Sequence, residues 1–545
     1  MLFVLVRSLS NIGVCLLTTL ATGLGTAGPA TALQAGTARV DITPAPVVGV
    51  PMCGYARGYD HPSTGLHDSL WARILVLDDG DLRVAIVSVD LIGFNVDADP
   101  GPGRLAGLLQ SAGIDGWLVV STHTHGGPRT LDLGTPYDAD RVWGGDTPYT
   151  LWVEDRIVDA VATAVTNLQP VQVRAGKGAV DLSFNRRLVR PDGTVEMIWG
   201  RYDAFTADQL GPTDPDVGVV RLDDAAGQPV AVLVHYACHA VVLGSGNHRL
   251  TADFPGYAMA YVERQLPGAT ALFLQGAAGD LDPRVDVQDS FAPAQTQGVT
   301  LGREALRVAH DLALAPPLED SPRLDWVQWQ RPFRLNRDPA QQVDVTFGLL
   351  RVGRHLAFGT LPGEPFVGLQ LDLKARSPVT HTYLLGYTNG YVGYLPTLAA
   401  HHEGGYGADS GDTFQIQPEA GEAMVDAIAA ELIAGAGGPT AVTEAASAGA
   451  PSGPALQLAP NIPNPFNGET MIPFVLPARA EVALVILDLL GRRLRQLRAG
   501  SMAPGHHQVR WNGRDDDGHT VASGIYLCRL TAGNRVVTRR LAVLR

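Results

Sequence analysis

The chain has 545 residues, 46% hydrophobic and 18% charged, which excludes a largely disordered protein and leaves room for more than one domain. A formal charge of −14, with basic residues in nothing larger than short pairs such as Arg492-Arg493 and Arg539-Arg540, argues against a nucleic-acid partner, because phosphate binding needs clustered Lys and Arg. Four cysteines exclude a disulfide scaffold. Cys15 falls in the leader described next, so Cys53, Cys238 and Cys528 allow at most one bridge and one spare thiol.

Residues 1–32 have the pattern of a secretory signal peptide. Arg7 is the sole charge before Arg39, Ile12 to Ala21 is apolar, and small residues follow through Ala27 to Ala32. The protein is therefore expected to be secreted or held at the cell surface. Nothing later is long and apolar enough to span a bilayer as a helix.

The mature chain opens on alternating Val40 and Ile42, a strand ended by Pro44. Leu70–Leu77 and Arg83–Asp90 are expected to form a hairpin about Asp78-Asp79-Gly80. A helix is predicted over Arg104–Ser111 and a buried strand over Trp117–Val120. Val153, Ile157, Ala160, Val161 and Ala164 repeat at helical spacing within Leu151–Leu168.

Strands follow at Val171–Ala175, Asp181–Asn185, Asp216–Leu222 and Pro229–Tyr236, then a helix at Pro255–Gln265 and a strand at Ala271–Leu274. Ala294–Leu314 reads as a helix. Val343–Leu350, Leu356–Thr360 and Thr382–Gly386 read as strands, and Glu419–Ala434 as a last helix behind Pro418. Together, residues 35–435 are expected to form one large α/β (mixed α+β) domain. Residues 436–455 are rich in Gly, Pro, Ala, Ser and Thr, a linker composition. Short alternating runs over 456–545, separated by turn residues, predict a small all-β sandwich of about seven strands.

The chemistry starts at Ser121-Thr122-His123-Thr124-His125-Gly126-Gly127. Two histidines one residue apart point to the same side of an extended chain, at a strand end where α/β sheets place ligands. A catalytic zinc takes three or four N, O or S ligands and leaves a position open. Further candidates stand at strand ends: Cys238-His239, Glu364 in Thr360-Leu-Pro-Gly-Glu364-Pro, and the loop Asn389-Gly-Tyr391-Val-Gly-Tyr394. Each also has a purely structural use. His239 fits a core histidine, Glu364 a carboxylate at a helix start, Tyr394 a half-buried tyrosine and Cys238 a packed small side chain.

These pieces, with Val40-Asp-Ile-Thr-Pro44, Val87-Ser-Val-Asp90, Phe184-Asn-Arg186, Ala252-Asp-Phe-Pro-Gly256 and Gly279-Asp280, resemble in order and spacing the neutral non-lysosomal ceramidases over residues 35–435. The resemblance implies a zinc-dependent amide hydrolase. It implies Zn2+ held by His123, His239, Glu364 and Tyr394, with His125 moving a proton and Arg186 and Tyr406 contacting the reacting amide. Tyr406 resembles a second tyrosine of that family twelve positions after the ligand tyrosine, and this resemblance favours Tyr394 over Tyr391 as ligand. The loop Gln275-Gly276-Ala277-Ala278 before Gly279-Asp280 has no serine, so metal-activated water rather than a serine from that loop is the expected nucleophile.

The implied substrate is an amphiphilic, ceramide-like amide, with contact to a membrane surface. The tail resembles a type IX secretion sorting domain or the related flagellar-hook-cap immunoglobulin-like module. It carries that likeness in Asn461–Asn467, Leu487–Arg492, Trp511–Gly518 and Ala522–Tyr526, and it implies contact with secretion machinery. Asp515-Asp516-Asp517 is read as a solvated turn closed by Gly518 rather than a calcium loop. Two other readings stay open: a zinc amidase or esterase with a non-lipid substrate, and a surface module that keeps the fold without turnover.

Overall fold

The computed structural model describes residues 32–55, 62–94, 103–130 and 148–435 apart from 201, 207–208, 286–289, 337 and 410–415. It also describes 457–543 apart from 459–460, 462–465, 477–478, 488–491, 504, 517 and 533–534. Residues 1–31 of the expected leader and the expected linker lie outside these. Contacts divide the chain into two units, Met1–Thr440 and Ala441–Arg545. No helix among the described residues is long and apolar enough to cross a membrane.

The larger unit is built around three sheets of four or five strands, each with one parallel pair, and shorter two- and three-stranded ladders join them. In the first, the order is Gly116–Ser121, Arg83–Val89, Trp71–Asp78, Gln34–Asp41 and Gln169–Pro170, with the first two parallel. In the second it is Thr270–Gln275, Pro229–Tyr236, Asp216–Asp223 and Gln172–Ala179, again with the first two parallel. The third runs Leu324–Arg334, Gln342–Val352, Leu356–Thr360 and His381–Leu385, with the last two parallel.

Strands covered on both faces are apolar along their middle, and Gly116–Ser121 and Thr270–Gln275 are buried at every position, with polar residues only at their ends. One face of each sheet meets the others in a shared core that includes Leu75, Ile86, Leu118, Leu233, Leu272, Leu350 and Phe358. The other faces carry helices. Arg104–Ser111 and Pro148–Thr166 cover the first sheet, Asp253–Gln265 and Ala292–Ala313 the second, and Val367–Arg376 and Ala420–Gly435 the third. Each fully buried Leu or Phe in these layers contributes roughly 2 kcal/mol.

Beside several short strands and the short helix Leu398–Glu403, two elements of ten residues or more in this unit are absent from the sequence reading. The helix Val367–Arg376 is absent from the sequence reading because Val367, Leu369, Leu371 and Leu373 alternate like a strand, while Gln370 fills a buried helical position. The strand Leu324–Arg334 is also absent. It is an edge strand, buried only at Leu324 and Phe333, and Pro332 interrupts its pattern.

The smaller unit is all-β. One sheet pairs Gln457–Leu458, Thr470–Leu476 and Gly505–Trp511, and the other Arg493–Met502, Ala480–Leu487, Gly524–Ala532 and Arg535–Val543. All neighbours are antiparallel. Val482, Leu484 and Ile486 alternate inward to meet Phe466, Ile472, Phe474 and Trp511. Arg493–Met502 is an unpredicted edge strand whose many arginines hide the alternation. At the acidic run, Asp515 accepts from His519 N at its side chain and from Gly518 N at its carbonyl, which makes a turn. Cys53, Cys238 and Cys528 are all buried, and Cys238 and Cys528 are free thiols.

Candidate metal centre

The carboxyl ends of the three parallel pairs come together, and backbone hydrogen bonds stitch them. Ser121 N donates to Tyr387 O, Asn389 N to Val119 O, His125 N to Ala240 O and Gly386 N to Gln275 O, at 3.0–3.3 Å. The loop after each strand therefore faces one point. His123, Tyr55, Tyr387 and Asn389 adopt positive φ there (61°, 56°, 55° and 63°), a region that side chains rarely enter unless their surroundings hold them. Asn389 shows how it is held: its side chain takes Val119 N at 2.8 Å and donates to Trp117 O at 2.9 Å.

His123 and His239 are fixed alike. Each places Nδ1 2.6 Å from a backbone carbonyl, Ile92 O and Ala278 O respectively. A carbonyl only accepts, so each Nδ1 carries the proton and each Nε2 is left with its lone pair. The two Nε2 atoms lie 3.1 Å apart. Glu364 Oε2 lies 3.4 Å from one and 3.2 Å from the other and makes no hydrogen bond of its own.

Three lone-pair atoms thus converge in a buried place without a proton to share, which a cation resolves. Burial pushes the Glu364 carboxyl up, but the two imidazoles, where they carry positive charge, outweigh it and hold the group well below the usual carboxylate range; with both rings neutral, a bound cation takes that part. Burial pushes His239 down, towards the neutral ring a metal requires. His125 completes the imidazole group, with Nε2 3.3 Å from His123 Nε2, and the ligand atoms of the three histidines lie within 4.8 Å of one another. Its ring packs edge-on to Tyr55 and against Gly54, where a Cβ would come within 2.4 Å of Nδ1.

Glu364 and Tyr394 face each other in a short parallel ladder, Glu364–Pro365 with Tyr394–Leu395. The Tyr394 hydroxyl accepts from Arg186 Nη2 at 3.1 Å, whereas the hydroxyl of Tyr391 donates to Glu364 Oε1. Burial raises the phenol pKa of Tyr387, Tyr391 and Tyr394 well above the ordinary value. Arg186 is buried beneath Trp199, Tyr406 and Tyr394, whose rings lie 5.0, 5.5 and 5.8 Å from its Cζ. Tyr406 stands at the rim, 40% exposed, with Trp199 beside it at 47%.

All seven residues singled out from the sequence therefore gather at one place. Tyr391, set aside in favour of Tyr394 as a ligand, stands there as well, bonded to Glu364. Trp199 and Asp282, which pairs with Arg186, were missed, and nothing in their local sequence marks them.

The fold and these groups define an α/β protein organised around a candidate divalent-metal centre. Residues 33–299 match the family model of the neutral/alkaline non-lysosomal ceramidase N-terminal region. His123, His125, Arg186 and His239 lie inside the match, and Glu364, Tyr394 and Tyr406 beyond it.

Residues 461–535 match the FlgD Ig-like domain, in keeping with the all-β smaller unit. The neutral ceramidase of Pseudomonas aeruginosa is 24% identical over 270 residues, covering 47% of this chain and 38% of that protein. The neutral ceramidase of Mycobacterium tuberculosis is 26% identical over 252 residues, covering 43% and 38%. These alignments span well under half the length of either relative. The crystal structure of the Pseudomonas aeruginosa neutral ceramidase superposes on 94% of this chain and 99% of its own, with a TM-score of 0.59 at 18% identity. A ceramidase complexed with C2 gives the same TM-score at 17% identity, covering 94% and 100%. At such identities the likeness establishes the fold.

Proposed function

We propose that this chain is an exported zinc-dependent amidohydrolase that cleaves the N-acyl amide of a ceramide-like lipid to a sphingoid base and a fatty acid. The observation that carries the reading is the convergence of His123 Nε2, His239 Nε2 and Glu364 Oε2, three proton-free donors in a buried pocket. Two nitrogens and a carboxylate oxygen suit zinc, and Tyr394, backbone-paired with Glu364, is the proposed fourth ligand. The ceramidase-family match and the exposed aromatic rim of Trp199 and Tyr406 support an amphiphilic amide as substrate. The leader-like residues 1–32 and the FlgD-like tail support export, with the tail engaging secretion machinery.

When bound, zinc supplies a water with a pKa near ~7 and draws charge onto the amide oxygen. The remaining work belongs to side chains. His125 accepts a proton at Nε2 as the water oxygen bonds to the carbonyl carbon, and passes it to the amide nitrogen as the C–N bond breaks. Arg186 and the Tyr406 hydroxyl donate to the oxygen that gains negative charge.

The test is hydrolysis of a fluorescent short-chain ceramide by the full chain, before and after chelation. Turnover should vanish on chelation and return with added zinc, and His239→Ala should be slower by at least ~10³-fold, about 4 kcal/mol of barrier. Full activity after exhaustive chelation defeats the zinc reading. Cleavage of soluble amides or esters but not ceramide selects the non-lipid alternative.

A further inference from the structure

A guanidinium has five N–H donors, and in Arg186 the fork is already committed. Nη1 donates to Asp282 Oδ1 at 3.0 Å, and Nη2 donates to Gly279 O at 2.5 Å and to the Tyr394 hydroxyl at 3.1 Å. Nε–H is buried without a hydrogen-bond partner, under the rings of Trp199, Tyr394 and Tyr406. A buried donor left unpaired is costly unless something absent from the chain itself takes it.

Asp282 is held as firmly as the arginine. Its strand, Leu281–Pro283, pairs antiparallel with Ser183–Asn185, with Asp282 opposite Phe184, two residues before Arg186. Arg186 N donates to Asp280 O at 3.0 Å, and His239 N donates to Leu281 O at 3.1 Å. The Asp280 carboxylate takes Asn185 Nδ2 at 2.8 Å and Val367 N at 2.7 Å. Gly279 admits no side chain, because a Cβ there would lie 2.4 Å from Glu364 O. One five-residue segment thus sets the arginine, a metal-side histidine and the backbone after Glu364 against one another.

We propose that Asp282 is a positioning residue for Arg186: it takes Nη1 and the formal charge, turns the fork onto Tyr394, and leaves Nε–H as the donor for the substrate's carbonyl oxygen. The substrate's identity rests on the amide-hydrolase reading above. The ion pair carries a further consequence. With its charge compensated, Arg186 recognises a neutral amide without holding a carboxylate product strongly, because a second anion would face Asp282 as well.

The test combines turnover with binding of octanoate, a plain carboxylate, by calorimetry on the full-length zinc-loaded chain. Asp282→Asn keeps an acceptor for Nη1 and removes the charge. Asp282→Ala removes both. Relative to the parent, kcat should fall ~10²-fold in Asp282→Ala with KM changed less than ~3-fold, and only ~10-fold in Asp282→Asn. Octanoate should bind ~10-fold more tightly to Asp282→Asn than to the parent. In an Arg186→Ala background, Asp282→Ala should add nothing further, since it acts through the arginine. Additive losses in that background, or octanoate affinity unmoved by Asp282→Asn, overturn the proposal. Octanoate binding does not require turnover, so a parent that cleaves no amide defeats the functional reading while the binding arm still decides the role of Asp282.

Discussion

The junction of the three sheets and the core of the smaller unit bury their side chains on opposite principles. In the smaller unit, the only buried polar side chains among the described residues are Asn461 and Thr470, bonded to each other at 2.9 Å. The other core side chains there are aliphatic or aromatic, with the Cys528 thiol, gathered about Trp511. The junction buries His123, His239, Glu364, Arg186, Asp280, Asp282 and Asn389 within a few residues of strand ends. An apolar core needs only volume and alternation to form. A buried polar cluster needs every partner, and it persists where binding or chemistry demands it. The difference indicates that the core of the smaller unit is specified by apolar packing, whereas the larger one spends stability on its site.

The comparison breaks most visibly at Trp511. It is 1% exposed, packs on Phe466 and Tyr526, and donates Nε1 to Arg514 O at 2.9 Å. Trp511→Ala should destabilise the smaller unit by about 4 kcal/mol at any pH between 5 and 8. Calorimetry of the full chain should then show the transition of that unit shifted down while the larger unit and its metal content stay unchanged. A common downward shift of both transitions would mean the units fold as one.

A smaller, pH-dependent effect is expected in the larger unit. His235 is buried, contacts Leu384 O at 3.0 Å through Nε2, and lies 5.1 Å from the Tyr383 ring. Burial lowers its pKa from 6.5 to about 4. Its folded pKa lies below the unfolded one, so the unfolded chain binds the extra proton between these values. The stability this histidine confers is complete above 6.5 and is lost as pH falls towards about 4.

Denaturant unfolding of the parent and His235→Asn should therefore differ most at neutral pH, with the difference shrinking by about 2 kcal/mol by pH 5. Asp68 is half-buried, with its carboxyl raised by desolvation to about 7, and it adds an opposite trend to both proteins that cancels in the comparison. A difference independent of pH would mean that His235 contributes through packing alone.

Most of the architecture was legible where burial and pattern agree. Arg104–Ser111 and Pro229–Tyr236 stand where their apolar spacing puts them. The failures have physical causes: the helix at 367–376 alternates like a strand, and the edge strands at 324–334 and 493–502 bury too little to show a period. At the site, the residues carried by short motifs were found. What stayed hidden is what only the fold creates. Tyr391 reaches Glu364 across 27 positions and Asp282 reaches Arg186 across 96, with no sequence rule linking either pair. The two histidines of the opening motif also differ in a way spacing alone does not reveal: His123 Nε2 faces Glu364, while His125 Nε2 faces His123.

The most direct test of the account is the metal content of the purified chain, measured by elemental analysis beside Glu364→Ala. The parent should hold ~1 zinc per chain, and removal of one carboxylate should empty the site to below ~0.1. A parent without metal under zinc-replete expression, or a Glu364→Ala variant that keeps its full complement, would contradict the proposed centre.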